Sequence, residues 1–173
     1  QERSLYLVGR LTVATTQSDS FLTLIFYVLT GMTQAASAAA LLSHRMARQR
    51  RTMIRKVLAS TKLDGELRRR LEALLSEADT IADQRNRYIH DQWTPTPDNA
   101  WMLSRETIPG QSYDPEYFPR IVDNKELKHL VDRAEALVAD CVGVFLLFRE
   151  WRLGLGFAGG PEVRKQMKRG DRT

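Results

Sequence analysis

Two side chains near the middle of this chain, Arg85 and His90, have the chemistry to hold an anion and to move a proton. A guanidinium is a permanent cation that presents five N–H donors in a fixed fork. An imidazole is the side chain best placed to act as acid or base near neutral pH. Both lie in the run Arg85-Asn86-Arg87-Tyr88-Ile89-His90-Asp91-Gln92-Trp93, which leads straight into Thr94-Pro95-Thr96-Pro97. Upstream of it, Leu67, Leu71, Leu74, Ala78 and Ile81 recur at steps of three and four, the signature of one helix face. The next position in that stepping is Arg85. A charge in an apolar stripe requires a partner or a wet cleft, because burying it alone is costly. His90 lies about 140° farther round a helix of roughly 100° per residue. The two therefore meet only if the helix unwinds near His90 or if two copies of the chain face each other. The prolines that follow favour unwinding.

The elements that must position this run can be read in order. Residues 4 to 30 hold helical spacing through Leu5, Val8, Leu11, Leu22, Ile25, Phe26 and Leu29, although Thr12 to Ser20 is polar. Asp19 falls close to that stripe, and two readings stand. Either Asp19 or Ser18 caps a helix that begins at Ser20, or Asp19 is the buried partner of Arg85. Phe21 to Leu42 carries no charge and is long enough to cross a bilayer. Gly31, Thr33, Gln34, Ser37 and a run of alanines argue instead for a break at Gly31 with Thr33 capping the next helix, so no membrane span is expected.

Ser43 to Ser60 reads as a basic helix carrying Arg45, Arg48, Arg51 and Arg55, with no acidic residue between Arg45 and Lys56. It is either a solvated face or a surface for phosphate groups. Asp64 is placed to cap the helix that ends in Arg85 to His90, and Asp123 to cap a last helix with a long stripe from Leu127 to Trp151. Between them, Trp101 to Leu103, Thr107-Ile108, the turn Pro109-Gly110, Tyr117-Phe118 and Ile121-Val122 suggest a small hairpin, with Pro119 restricting its second strand to an edge. The expected fold is all-α, an antiparallel bundle of about four or five helices with a small inserted β-hairpin before the last helix. One domain is expected over 1–153, followed by a basic, mobile tail over 154–173.

A net charge of +5 favours an anionic partner. The single cysteine, Cys141, leaves no internal disulfide and reads as a core residue, and three histidines with one cysteine do not spell a zinc site. No metal or cofactor is expected. The polar start, Gln1-Glu2-Arg3, shows no signal-peptide pattern, and its lack of methionine suggests a trimmed or truncated end. A cytoplasmic protein is expected.

Arg85-Asn86, four residues and then His90, closing a bundle helix, resembles the HEPN superfamily. That signature is an arginine, four to six residues, then a histidine, with a polar residue directly after the arginine. More narrowly, Arg85-Asn86-Arg87, two residues, His90 and a nearby Trp93 resemble bacterial HEPN-like proteins with an acidic residue in the first helix and an inserted strand pair. The resemblance covers roughly residues 5 to 152, and Asp91 departs from it where glycine is common. It implies a homodimer that brings two motifs together in a basic cleft, and an endoribonuclease of toxin or phage-defence type that needs no metal. In that reading Arg85, Asn86 and His90 are catalytic, and Arg87, Arg45, Arg48, Arg51 and Arg55 bind RNA. Tyr88 and Trp93 either stack on bases or pack. The alternative is a non-catalytic dimeric module that binds RNA or an antitoxin-like protein, with Arg85 locked to Asp19 and His90 capping a helix end. His44 and His129 stand alone on polar faces and are given no role.

Overall fold

In the computed structural model, residues 2–33, 36, 39–40, 47–104 and 119–154 are described. They form four helices and one small sheet: α1 (Glu2–Thr30), α2 (Ala47–Ser60), α3 (Gly65–His90), β1 (Gln92–Pro95), β2 (Trp101–Ser104), β3 (Arg120–Ile121) and α4 (Asn124–Arg152). The described part of the chain is thus mostly helical, with a small sheet inserted before the last helix, as its periodicity predicts.

Helix α1 runs unbroken through its polar stretch, which corrects the expectation of a helix start at Ser20 capped by Ser18 or Asp19. The hydroxyls of Thr12, Thr15, Thr16, Ser18 and Thr23 each donate to the carbonyl four residues back. Bonded in this way, the hydroxyls stay inside the helical pattern instead of drawing the backbone into a turn. The helix stops where glycine allows it. Gly31 has a φ of 65° and donates its N–H to Tyr27 O at 3.0 Å, a left-handed cap. Thr33 Oγ1 then accepts the N–H of Ala36 at 3.2 Å, as expected of a cap. None of the described helices is long and apolar enough to cross a membrane.

Asp64 Oδ1 accepts the N–H groups of Glu66 (2.9 Å) and Leu67 (3.4 Å) at the start of α3. Asp123 Oδ1 does the same for Lys125 at 2.8 Å at the start of α4. Each carboxylate satisfies helix donors that have no partner within the helix. Arg68 closes the turn between α2 and α3, donating to Leu58 O (3.0 Å) and Thr61 O (2.9 Å).

The sheet has the order β1-β2-β3 and is antiparallel throughout, with Trp93 opposite Leu103 and Leu103 opposite Arg120. β3 is an edge strand, as the preceding Pro119 required. β1 was not expected, because Pro95 and Pro97 read as loop; it too is an edge, where a missing N–H is tolerated. Asn99, at φ 62°, closes the β1–β2 turn by donating to Thr96 O at 3.1 Å. The expected strand residues Thr107, Ile108, Tyr117 and Phe118 and the turn at Pro109-Gly110 lie outside the described residues, as does the tail beyond Gly154.

The described residues group into two compact units. The first takes in the chain up to Ser18 and Ser76–Val138. Its core is Leu7, Leu11 and Ala14 of α1, Ala78, Ile81 and Tyr88 of α3, Leu103 of β2, and Leu127, Leu130, Val131 and Ala134 of α4. Ser4 Oγ donates to Asn124 Oδ1 at 2.8 Å, and farther along Arg10 meets Glu135 at 2.6 Å, so α1 runs parallel to α4 here. Glu77 meets Arg133, and Tyr88 lies against Arg120 just ahead of α4, so α3 runs the opposite way. The second unit takes in Asp19–Leu75 and the chain from Ala139. It buries Leu22, Ile25 and Phe26 with Ile54, Leu58, Leu67, Leu71, Leu75, Val144 and Phe148. Cys141 is in this core, as expected, and burial pushes its thiol up to about 12.

Candidate functional site

The Arg85 to His90 run sits in the last turns of α3, in the first unit, and its side chains go three ways. Arg85 is half-buried. Its Nε is fully buried with no hydrogen-bond partner among the described residues, and its Nη1 reaches only Asn86 Oδ1, at 3.4 Å. No carboxylate among the described residues meets this guanidinium. Tyr88, not Arg85, continues the buried stripe after Ile81. Arg87, about 200° from Arg85 at roughly 100° per residue, lines a separate cleft described below.

His90 is exposed and is the last residue of α3. The helix therefore does not unwind before His90, and the route that would bring Arg85 and His90 together within one chain is not taken. Nor does His90 close the helix end. Trp93 does so, donating its indole N–H to Tyr88 O at 2.8 Å. Trp93 also packs edge-on against Trp101, with ring centroids 5.8 Å apart. Tyr88 is buried and Trp93 is committed to the sheet, so of the two readings for these rings, packing describes them.

Asp19 was expected to partner Arg85. The two residues belong to different units, and Asp19 is engaged within its own. Arg51 Nη1 donates to Asp19 Oδ1 at 3.2 Å, and Arg50 Nη2 stands 3.7 Å from Asp19 Oδ2. The acidic residue of α1 thus meets the basic helix, and Arg51, 4% exposed, is its buried ion-pair partner. Asp19 supplies the counter-charge that α2 lacks in its own sequence. Arg48 is exposed and Arg55 half-buried, while Arg45 and His44 lie outside the described residues.

A cluster that the sequence did not single out lies where α3, β3 and α4 meet in the first unit. Gln84, Arg87 and Tyr88 of α3, Arg120 of β3, and Glu126, His129, Leu130 and Arg133 of α4 line a cleft of about 170 Å³. Arg133 donates through Nε to Glu77 Oε1 at 2.9 Å and through Nη1 to Gln84 Oε1 at 3.4 Å. Arg120 donates to Glu126 Oε1 at 3.3 Å and lies over the Tyr88 ring, 5.1 Å from its centroid. Burial holds the Tyr88 hydroxyl above its usual titration range, with Arg120 pulling the other way. His129 and Arg133 are one helical turn apart, the spacing that could have joined His129 to a site; Arg120 gave no such signal, since only the sheet brings it here.

No family model matches the chain, and neither a curated protein nor a solved structure matches it.

Proposed function

We propose that the chain is a HEPN-like homodimeric endoribonuclease, of toxin or phage-defence type, that acts in the cytoplasm and cleaves RNA without a metal ion. One observation carries the reading: the Arg85 guanidinium, half-buried on a rigid helix, has no carboxylate partner among the described residues. An unclaimed cation in a partly desolvated position suits a phosphate and the charge that grows on it during reaction. Asn86 orients that guanidinium or the substrate. His90, exposed at the helix end, serves proton transfer.

In the reaction so assigned, a ribose 2′-oxygen attacks the adjacent phosphorus and the bond to the 5′-oxygen of the next nucleotide breaks. One imidazole takes the 2′-hydroxyl proton, and His90 of the partner subunit returns a proton to the leaving oxygen. A second copy is required because Arg85 and His90 diverge on a helix that stays wound through His90.

The same divergence favours a second reading, a non-catalytic dimeric module that binds RNA or an antitoxin-like protein. RNA cleavage in chelator separates the two. The parent is expected to cut single-stranded RNA, and His90→Ala and Arg85→Ala to lose cutting while remaining folded. Cleavage that survives both substitutions, or a parent that cuts no RNA at all, removes the nuclease reading.

A further inference from the structure

We infer that the cleft lined by Arg87, Arg120, His129 and Arg133 is a second anion site, which holds a phosphate group of a bound RNA strand away from the reacting one. The inference rests on the proposed function for the polymer that carries the phosphate, and on the cleft itself for the rest.

Charge comes first. Three guanidinium groups line the cleft, Glu126 is the one carboxylate among the described lining residues, and Glu77 holds Arg133 from beside it. Cations gathered round one cavity repel one another unless an anion joins them. The donor count points the same way. Arg120 donates through Nη1 to Glu126 and also reaches the Tyr88 hydroxyl, which leaves part of a guanidinium's five N–H groups to give. Arg133 spends Nε and Nη2 on a single oxygen of Glu77, and its Nη1 has only the long contact to Gln84. The buried Tyr88 hydroxyl stays protonated and so remains a donor.

Size then decides between ligands. A volume of about 170 Å³ is well under the roughly 300 Å³ at which pockets begin to enclose whole small molecules. It admits a phosphate group and excludes a nucleoside, which must remain outside. Donors converging from α3, β3 and α4 match the several oxygens of a tetrahedral phosphate better than the two of a planar carboxylate. Because Arg87 and Arg85 point to opposite sides of α3, the strand meets this site beside the reacting phosphate and not at it.

The group is either a terminal phosphate or one within the backbone, and the probes tell these apart. In a His90→Ala background, where nothing is cleaved, binding is measured by fluorescence anisotropy for a short RNA with a 5′-hydroxyl and for the same RNA with a 5′-phosphate. Inorganic phosphate is titrated separately by calorimetry. Arg120→Gln and Arg87→Gln, each checked for an unchanged melt, are expected to weaken RNA binding roughly tenfold and to lower its salt dependence by about one counterion. A 5′-phosphate preference that both substitutions abolish assigns a terminal phosphate. Equal binding of the two RNAs, weakened equally by both substitutions, assigns a backbone phosphate. Inorganic phosphate bound by the parent and lost in Arg120→Gln, with no RNA bound by any form, keeps the site and overturns the RNA reading. If both substitutions leave the parent's binding of RNA and of phosphate unchanged, or if the parent binds neither, the inference fails.

Discussion

Arg51 and Arg85 are the same residue type set into the inner side of a helix, and they end in opposite conditions. Arg51 is almost fully buried, and its charge is met by Asp19 from another helix, with Arg50 on the second carboxylate oxygen. Arg85 is only half-buried, yet its Nε is sealed from solvent and no carboxylate among the described residues meets it. The first is a charge the fold has neutralised for itself. The second is a charge that meets no carboxylate among the described residues. A helix-wheel argument cannot separate the two, since both look like one cation in or near an apolar stripe. What separates them is a counter-ion supplied from far along the chain.

The largest test of this contrast removes the counter-ion. Asp19→Ala removes the carboxylate that Arg51 Nη1 and Arg50 Nη2 meet, and losing one partner of a buried pair costs about 3–5 kcal/mol. The low end, about 3 kcal/mol, is expected because the Asp19 side chain is 30% exposed and the pair is partly hydrated. Urea unfolding should show a lower midpoint at unchanged slope. A loss under about 1 kcal/mol, the size of an exposed ion pair, would mean that Arg51 reaches water and that the two arginines are alike after all.

A smaller change in stability is expected from Arg85→Met, which keeps an unbranched side chain of similar reach and discards a buried donor with no partner. Stability should stay within about 1 kcal/mol of the parent, because an unsatisfied polar group is removed with its charge. RNA cleavage should nevertheless be abolished. A fall of several kcal/mol would show Arg85 to be a structural arginine like Arg51, and the proposed use of its charge would go with it.

Features that depend on neighbours in the chain were legible in the sequence. Gly31, Thr33, Asp64 and Asp123 each act within a few residues, so the helix ends they set could be named in advance. The long stripe of α4 likewise needs only its own spacing. Features that depend on a distant partner were not legible. Asp19 read as a cap or as a partner for Arg85, and its pairing with Arg51 could not be seen. The threonines and serine around it looked like a weak helix because their bonds to their own backbone are invisible in composition. β1 was hidden by prolines that an edge strand accepts, and Arg120 reaches the basic cleft only through the pairing of β2 with β3. Of the candidate site, residue types were legible, and which of them meet was not.

The smallest effect comes from an ion pair that faces water on both sides, and it completes the series from buried to exposed. Glu66 in the first turn of α3 accepts from Arg70 Nε at 2.9 Å and meets Arg69 Nη2 at 2.7 Å, with all three side chains well exposed. The hydrogen bond from Arg70, with the charge of Arg69 behind it, holds the Glu66 carboxyl below its ordinary range. A group whose pKa is lower folded than unfolded adds stability above its unfolded value, about 4.3 for glutamate, and loses it as pH falls through the folded value. Glu66→Gln should therefore lower the melting temperature slightly at pH 7. The gap should begin to close below a pH of about 4.3 and vanish once the folded carboxyl is protonated. Raising the salt should close it as well, since exposed charges are screened within a Debye length. The Asp19→Ala deficit should respond far less to salt, because the Arg51 end of that pair is buried. If added salt erased both deficits equally, burial would not be what distinguishes Arg51, and the contrast with Arg85 would lose its basis.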